Sequence, residues 1–120
     1  MKNILLIDDD VMEEKLMQVF LTRRYDKDFS LTYVDTLQSG IAQLRRRAFD
    51  VVFIDNVLPP YAGPHESYPV IANHIGDASL IYISAGFSRH DQMGSAEARN
   101  FRFVDKLDIK ERIMEGLLDS

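Results

Sequence analysis

VVFIDNVLPP, residues 51 to 60, runs four apolar residues into a single aspartate and, four residues later, into a double proline. A short run of valine, phenylalanine and isoleucine closed by turn formers spells a strand buried on both faces. Such a strand belongs to a parallel sheet, since a half-exposed antiparallel strand would alternate apolar with polar residues. Its end is the unusual part: Asp55 places a lone carboxylate where the strand leaves the core.

Outward from this strand the same pattern repeats. NILLID (3–8), LTYVD (31–35), LIYIS (80–84) and FRFVD (101–105) are also short apolar runs, and segments of helical period separate them. Met12, Leu16, Met17, Phe20 and Leu21 define one face of a helix over 11–24, with Met12 and Met17 assigned to the core. Leu37, Ile41, Leu44 and Ala48 mark a second helix. Its basic end, Arg45 to Arg47, suits the negative end of the helix dipole and reads as a solvated terminus. Pro59, Pro60, Pro64 and Pro69 confine a third helix to about 67–75, before Gly76. The stretch AGFSRHDQMGSAEARN (85–100) has weak helical period broken by Gly94, which predicts an irregular fourth helix. Asp108 with Glu111 matches a capping box for a last helix whose stripe is Ile109, Ile113 and Leu117. The expected fold is therefore α/β: a five-stranded parallel sheet with helices on both faces, and ligands at the carboxyl ends of the strands.

A chain of 120 residues is the size of one domain able to build a core without staples, so one domain over 1–120 is expected. With 46% apolar and 28% charged residues the composition is that of a folded globular protein. The net charge of −5 argues against nucleic acid or anionic membrane as a direct partner. The absence of cysteine excludes disulfides, thiolate chemistry and cysteine-based zinc sites. His65, His74 and His90 show no metal-ligand spacing and read as loop or surface residues. The N-terminal apolar run is too short for a signal peptide and no later run could span a bilayer, which leads to the expectation of a cytoplasmic protein.

Four strands end in polar groups: Asp8 with Asp9, Asp35, Asp55 and Ser84. The fifth ends at Asp105, followed by Lys106. If the first, third, fourth and fifth strand ends converge, Asp8, Asp9, Asp55, Ser84 and Lys106 share one edge. Three carboxylates that close repel one another unless a cation sits among them. A hard divalent ion satisfied by oxygen, Mg²⁺, fits that demand. Asp55 is then an oxygen nucleophile able to form an aspartyl phosphate. The metal, Ser84 and Lys106 would stabilise charge on the transferring phosphoryl group. Asp10 is assigned instead to a loop or helix-cap role.

These residues resemble the receiver domains of two-component response regulators, over essentially the whole chain. The family's acidic pair matches Asp8 and Asp9. Its phosphoacceptor, followed by a hydrophobe, a proline and a turn glycine, matches Asp55, Leu58, Pro59 and Gly63. Its hydroxyl residue with a following alanine matches Ser84 and Ala85, its lysine matches Lys106, and its switch aromatic matches Phe103, which is also a core position. The resemblance implies a flavodoxin-like doubly wound fold and a stand-alone phosphoacceptor switch. A sensor histidine kinase or a histidine phosphotransfer protein would load Asp55. A downstream protein partner would then be bound through the face of strands four and five. The implied Mg²⁺ ligands are Asp8, Asp9, Asp55 and the backbone carbonyl of Val57. Ser84 and Lys106 would hold the phosphoryl group, and Phe103 would report it. No enzyme activity is implied beyond the chain's own phosphorylation and dephosphorylation. Three departures stand out. Leu107 replaces the proline that follows the family's lysine, so a trans bond is expected there. The 59–69 loop is rich in proline. The glycine-interrupted segment 86–100 is expected to become ordered on phosphorylation.

Two other enzyme or cofactor classes fit less well. A haloacid-dehalogenase-like phosphatase needs an aspartate two residues past its nucleophile, where Val57 stands. A flavin-binding flavodoxin-like protein needs a hydroxyl- and glycine-rich phosphate loop where this chain has DDDVMEE. The remaining alternative is a phosphorylation-independent interaction module on the same scaffold.

Overall fold

A computed structural model describes residues 1–84 and 101–119. Its strands β1 (Lys2–Ile7), β2 (Phe29–Val34), β3 (Val51–Asp55), β4 (Ser79–Ser84) and β5 (Arg102–Asp105) pair in parallel as one sheet of order β2-β1-β3-β4-β5. The helices are α1 (Val11–Tyr25), α2 (Leu37–Arg46), α3 (Pro64–Ile71) and α4 (Ile109–Met114). The strand order reverses between β1 and β3, so the crevice beyond their carboxyl ends is the place for a ligand.

Strand alternation divides the core in two. Ile4, Leu6, Val51, Phe53, Ile81, Ile83 and Val104 pack with Met17 and Leu21 of α1 and Ile109 and Ile113 of α4. Leu5, Ile7, Val52, Ile54, Leu80, Tyr82 and Phe103 pack on the other face with Leu37 of α2 and Ile71 of α3. Each fully buried aliphatic side chain contributes roughly 1.5–3 kcal/mol, so the central strands give their carboxyl ends a stiff base. Past the strand ends the same alternation puts Asp8, Asp55 and Lys106 on the α1 side. Ser84 follows Tyr82 on the α3 side.

The helices depart from expectation in instructive ways. On α1, Met17 and Leu21 are buried and Phe20 is half-buried, but Met12 and Leu16 are exposed, together with Val11 and Val19. Met12 is therefore not a core residue. Apolar side chains surround this helix, and the sheet takes the stripe through 13, 17 and 21. Helix α3 begins at Pro64 rather than near 67, because proline at the first position gives up only a donor that had no partner. Pro69 lies inside it and costs a further donor, and the helix stops at Ile71. Helix α2 ends at Arg46, leaving Ala48 exposed beyond it. Arg45 to Arg47 are exposed, as expected of a solvated helix end, and the Arg47 guanidinium also lies 4.9 Å from the Phe49 ring centre and donates to Thr32 Oγ1. Asp108 precedes α4 as expected but makes no side-chain capping bond. Its backbone is already near-helical (φ −102°, ψ −7°), whereas a capping side chain is aimed by an extended one. Leu118, beyond Gly116, is buried as well as the expected Ile109 and Ile113.

The irregular fourth helix expected at 85–100, with Ala85, His90 and the proposed ordering of 86–100, falls outside the described residues. Among the described residues, no helix is long and apolar enough to cross a membrane.

Candidate functional site

The strand ends and the turns after them set each side chain of the site. Asp8 follows β1 and is fully buried. Its amide donates to the Val34 carbonyl at 3.1 Å, and its Oδ1 accepts from the Asp10 amide at 2.9 Å. Asp10 caps α1 by accepting from the Met12 amide at 3.0 Å, the role expected of it. Asp9, between them, is exposed. Asp55 closes β3 with its side chain 13% exposed, and its Oδ1 accepts from the Val57 amide at 3.3 Å. The Asn56 amide donates to the Ile83 carbonyl at 2.8 Å and keeps this turn on β4. On β5, the Lys106 amide donates to the Ser84 carbonyl at 2.7 Å, and Asp105 Oδ1 accepts from the Leu107 amide at 2.9 Å. The Lys106–Leu107 bond is trans, as expected; the cis bond among the described residues is Pro59–Pro60.

Asp8, Asp9 and Asp55 offer carboxylate oxygens that all lie within 4.8 Å of one another. Each ionised pair at such a distance repels by roughly 3–4 kcal/mol at an effective dielectric of about 20. Among the described residues, Lys106 is the nearby counter-charge. Its Nζ is 3.4 Å from Asp8 Oδ2, 3.8 Å from Asp55 Oδ1 and 3.8 Å from Glu13 Oε1. One ammonium does not balance the group. Burial, and then the charge of Asp8, raise the Asp55 carboxyl to about 7 against the pull of Lys106. Burial also raises the carboxyls of Asp8 and Glu13. Burial opposes the charge on Lys106, but Asp55, Asp8 and Glu13 outweigh it and raise the ammonium above its ordinary value.

The donor set fits a hard divalent cation. Three carboxylates converge at the switch point, and Asp8 Oδ2, fully shielded from water, meets only the Lys106 ammonium at 3.4 Å and accepts no hydrogen bond of ordinary geometry among the described residues. A cation among them would satisfy that oxygen and return Asp55 to its ionised form. Mg²⁺, which takes a few carboxylates and keeps several waters, suits so open a set.

Ser84 is buried at the end of β4, and its Oγ has no hydrogen-bond partner among the described residues. The register pairs Asp55 with Ile83 and Ser84 with Asp105, so the hydroxyl stands one residue further along the same edge. Val57 lies exposed in the turn after Asp55. Asp35, which ends the edge strand β2, is exposed and not part of the acidic cluster. Phe103 is buried in an aromatic group, 5.8 Å from the Tyr82 ring and 6.0 Å from that of Phe101. Tyr82 is held in turn by a 2.7 Å hydrogen bond between its hydroxyl and Ser67 Oγ on α3.

Glu13 is the site residue that pattern reading missed. Its signal is present: it is one helical step before Met17 and two before Leu21, in line with the buried stripe of α1.

No protein-family model matches the chain, and no curated protein matches it by sequence. Solved structures do match it in shape. A CheY-like response regulator receiver domain from Methanospirillum hungatei superposes with a TM-score of 0.78 at 16% identity, over 98% of this chain and 92% of its own. The receiver domain of a sensor histidine kinase from Pseudomonas aeruginosa, solved with a magnesium ion coordinated in its active site cleft, gives 0.73 at 17% identity, over 99% and 98%. The receiver domain of the response regulator Ssk1 from Saccharomyces cerevisiae, in complex with the histidine phosphotransfer protein Ypd1, gives 0.71 at 16% identity, over 94% and 86%. At such identities the likeness is one of fold: the chain has the CheY-like, flavodoxin-like architecture of receiver domains.

Proposed function

We propose that residues 1–120 form a receiver domain, a phosphoacceptor switch of a two-component or phosphorelay system, with Asp55 as the acceptor. One observation carries this reading. The carboxylates of Asp8, Asp9 and Asp55 converge within 4.8 Å, and the Lys106 ammonium reaches both Asp8 and Asp55. An acceptor carboxylate beside a cation pocket and a fixed ammonium is the equipment for phosphoryl transfer, which is mainly positioning and charge stabilisation.

In this reading a carboxylate oxygen of Asp55 attacks the phosphorus of a phosphohistidine. The new O–P bond forms as the N–P bond breaks, and its electron pair stays on the imidazole nitrogen of the donor. Asp8, Asp9, Asp55 and the Val57 carbonyl would hold Mg²⁺, which when bound supplies positive charge to the phosphoryl oxygens and keeps Asp55 ionised. Lys106 donates to another of those oxygens, and Ser84, whose hydroxyl is unpartnered among the described residues, donates to a third. The aspartyl phosphate adds roughly −1.5 to −2 charge at the sheet edge, and Phe103 lies on the side of the sheet that would report it. No substrate is turned over other than the chain's own acyl phosphate.

The donor is a protein carrying phosphohistidine, either a sensor histidine kinase or a phosphotransfer protein. The Ssk1 receiver, similar in fold, is seen with the phosphotransfer protein Ypd1. On this chain Met12, Leu16 and Val19 on α1, with Val57 and Leu107 in turns beside the site, expose apolar surface that suits a protein partner better than a small molecule. A downstream protein partner, with no direct nucleic-acid or membrane contact, and a cytoplasmic location belong to the same proposal.

The test is intact-mass measurement after incubation with acetyl phosphate and Mg²⁺. The wild type gains one labile phosphoryl group and Asp55→Asn gains none. Equal labelling of both would sink the assignment of Asp55. No labelling of the wild type would favour the phosphorylation-independent module.

A further inference from the structure

Glu13 is the third residue of α1, at the site end of the stripe continued by Met17 and Leu21. That placement turns its side chain inward, 16% exposed, with Oε1 3.8 Å from Lys106 Nζ. It stands outside the group of three carboxylates whose oxygens converge; its ion-pair partner among the described residues is Lys106. An ammonium has three N–H donors. Here three carboxylates claim them: Asp8 at 3.4 Å, and Glu13 and Asp55 at 3.8 Å each.

Two of those three claims change when Asp55 is loaded. Asp8 would turn to a bound cation, and the claim of Asp55 would pass to phosphoryl oxygens carrying more negative charge. The claim of Glu13 does not change, because among the described residues Lys106 is the cation it pairs with. We propose that Glu13 is a positioning residue for Lys106, which holds the ammonium toward α1 and competes with the phosphoryl group for it. The loaded state is thereby weakened and the switch biased toward the unloaded form. This inference rests on the reading of Asp55 as phosphoryl acceptor.

Glu13→Gln removes the charge at nearly constant shape and frees Lys106 to lean toward Asp55. The same change removes a negative charge from the neighbourhood of Asp8, so it does not help a cation to bind. The two effects have opposite signs, whereas a merely structural defect in α1 would weaken both ligands.

Beryllofluoride at saturating Mg²⁺, and Mg²⁺ alone, are titrated by calorimetry into the wild type, Glu13→Gln and Glu13→Asp. The expected result is beryllofluoride binding roughly three- to tenfold tighter to Glu13→Gln, with Mg²⁺ binding equal or weaker. Glu13→Asp, which keeps the charge, lies closer to the wild type. In a Lys106→Met background, adding Glu13→Gln changes beryllofluoride affinity no further. Unchanged or weaker beryllofluoride binding by Glu13→Gln, or a gain that persists without Lys106, overturns the competition. A wild type that binds Mg²⁺ but not beryllofluoride overturns the acceptor reading itself and this inference with it.

Discussion

Asp55→Asn tests the electrostatics of the site through stability, independently of any phosphoryl donor. Burial and the charge of Asp8 lift the Asp55 carboxyl from 3.8 to about 7. Between those two values the folded chain binds more protons than the unfolded chain, so stability falls as pH rises and levels off above about 7. The span from 3.8 to about 7 corresponds to about 4 kcal/mol, at ~1.36 kcal/mol per pH unit. Asp8 titrates together with Asp55 and Lys106 loses a partner in the variant, so the recoverable part is nearer half, roughly 2 kcal/mol. Asparagine keeps the shape and removes the charge. In urea unfolding at pH 8 without Mg²⁺, Asp55→Asn should therefore be the more stable protein by roughly 2 kcal/mol. The two should converge below about pH 4, where Asp55 is protonated in both states of the wild type. Mg²⁺ should stabilise the wild type more than the variant, because only the wild type offers all three carboxylates. Equal stability at pH 8, or a gap that widens as the solution is acidified, would refute the account. Either would mean that Lys106 alone neutralises the cluster.

Two further substitutions test the packing that aims the site. Met17→Ala should cost about 2–5 kcal/mol by denaturant unfolding, while Met12→Ala should stay within about 0.5 kcal/mol; the reverse order would put the other face of α1 on the sheet. Gly40→Ala should destabilise by about 1–3 kcal/mol despite the better helix propensity of alanine. Its Cβ would lie 2.9 Å from Ile7 Cγ1 and closer still to Cδ1, at the α2–β1 contact. A more stable Gly40→Ala would show that α2 sits further from β1.

The strands were legible because a doubly covered parallel strand leaves an unbroken apolar run, and each forms within two residues of its expected start. Their polar ends were legible for the same reason: a carboxylate after such a run must leave the core at the sheet edge. Helix α1 was harder to read. Apolar residues at 11, 12, 16, 17, 19, 20 and 21 surround it, so periodicity alone could not choose between the stripe through 12 and 16 and the one through 13 and 17. The choice of face decides whether Glu13 points to solvent or to Lys106. Pro64 reads as a barrier in the sequence but is a helix start, since proline at the first position gives up only a donor that had no partner. Asp108 and Glu111 are the right residue types for a capping box, but the backbone at Asp108 is not extended. Side-chain identity says nothing of that.

The alternation that builds the core also sorts the site. Asp8, Asp55, Lys106 and Glu13 belong to the side of the sheet covered by α1, while Ser84, Tyr82 and Phe103 belong to the side covered by α3. Charge is thus handled on one face, and a hydroxyl and an aromatic group stand on the other. Only at the carboxyl edge do the two faces meet, and that is where a phosphoryl group on Asp55 would sit. A hydroxyl drawn from Ser84 toward that group would open space on the α3 side, next to Phe103. Phe103, however, is packed with Tyr82 and Phe101, and Tyr82 is tied to α3 by its 2.7 Å bond to Ser67. Rotation of Phe103 alone would leave a void among these rings, at about 24 cal/mol per Å³ of cavity. Under the proposed function, Phe103 can follow Ser84 only if Tyr82 and α3 follow as well. The aromatic group would then transmit the change to α3 as one body, through the Ser67 hydroxyl.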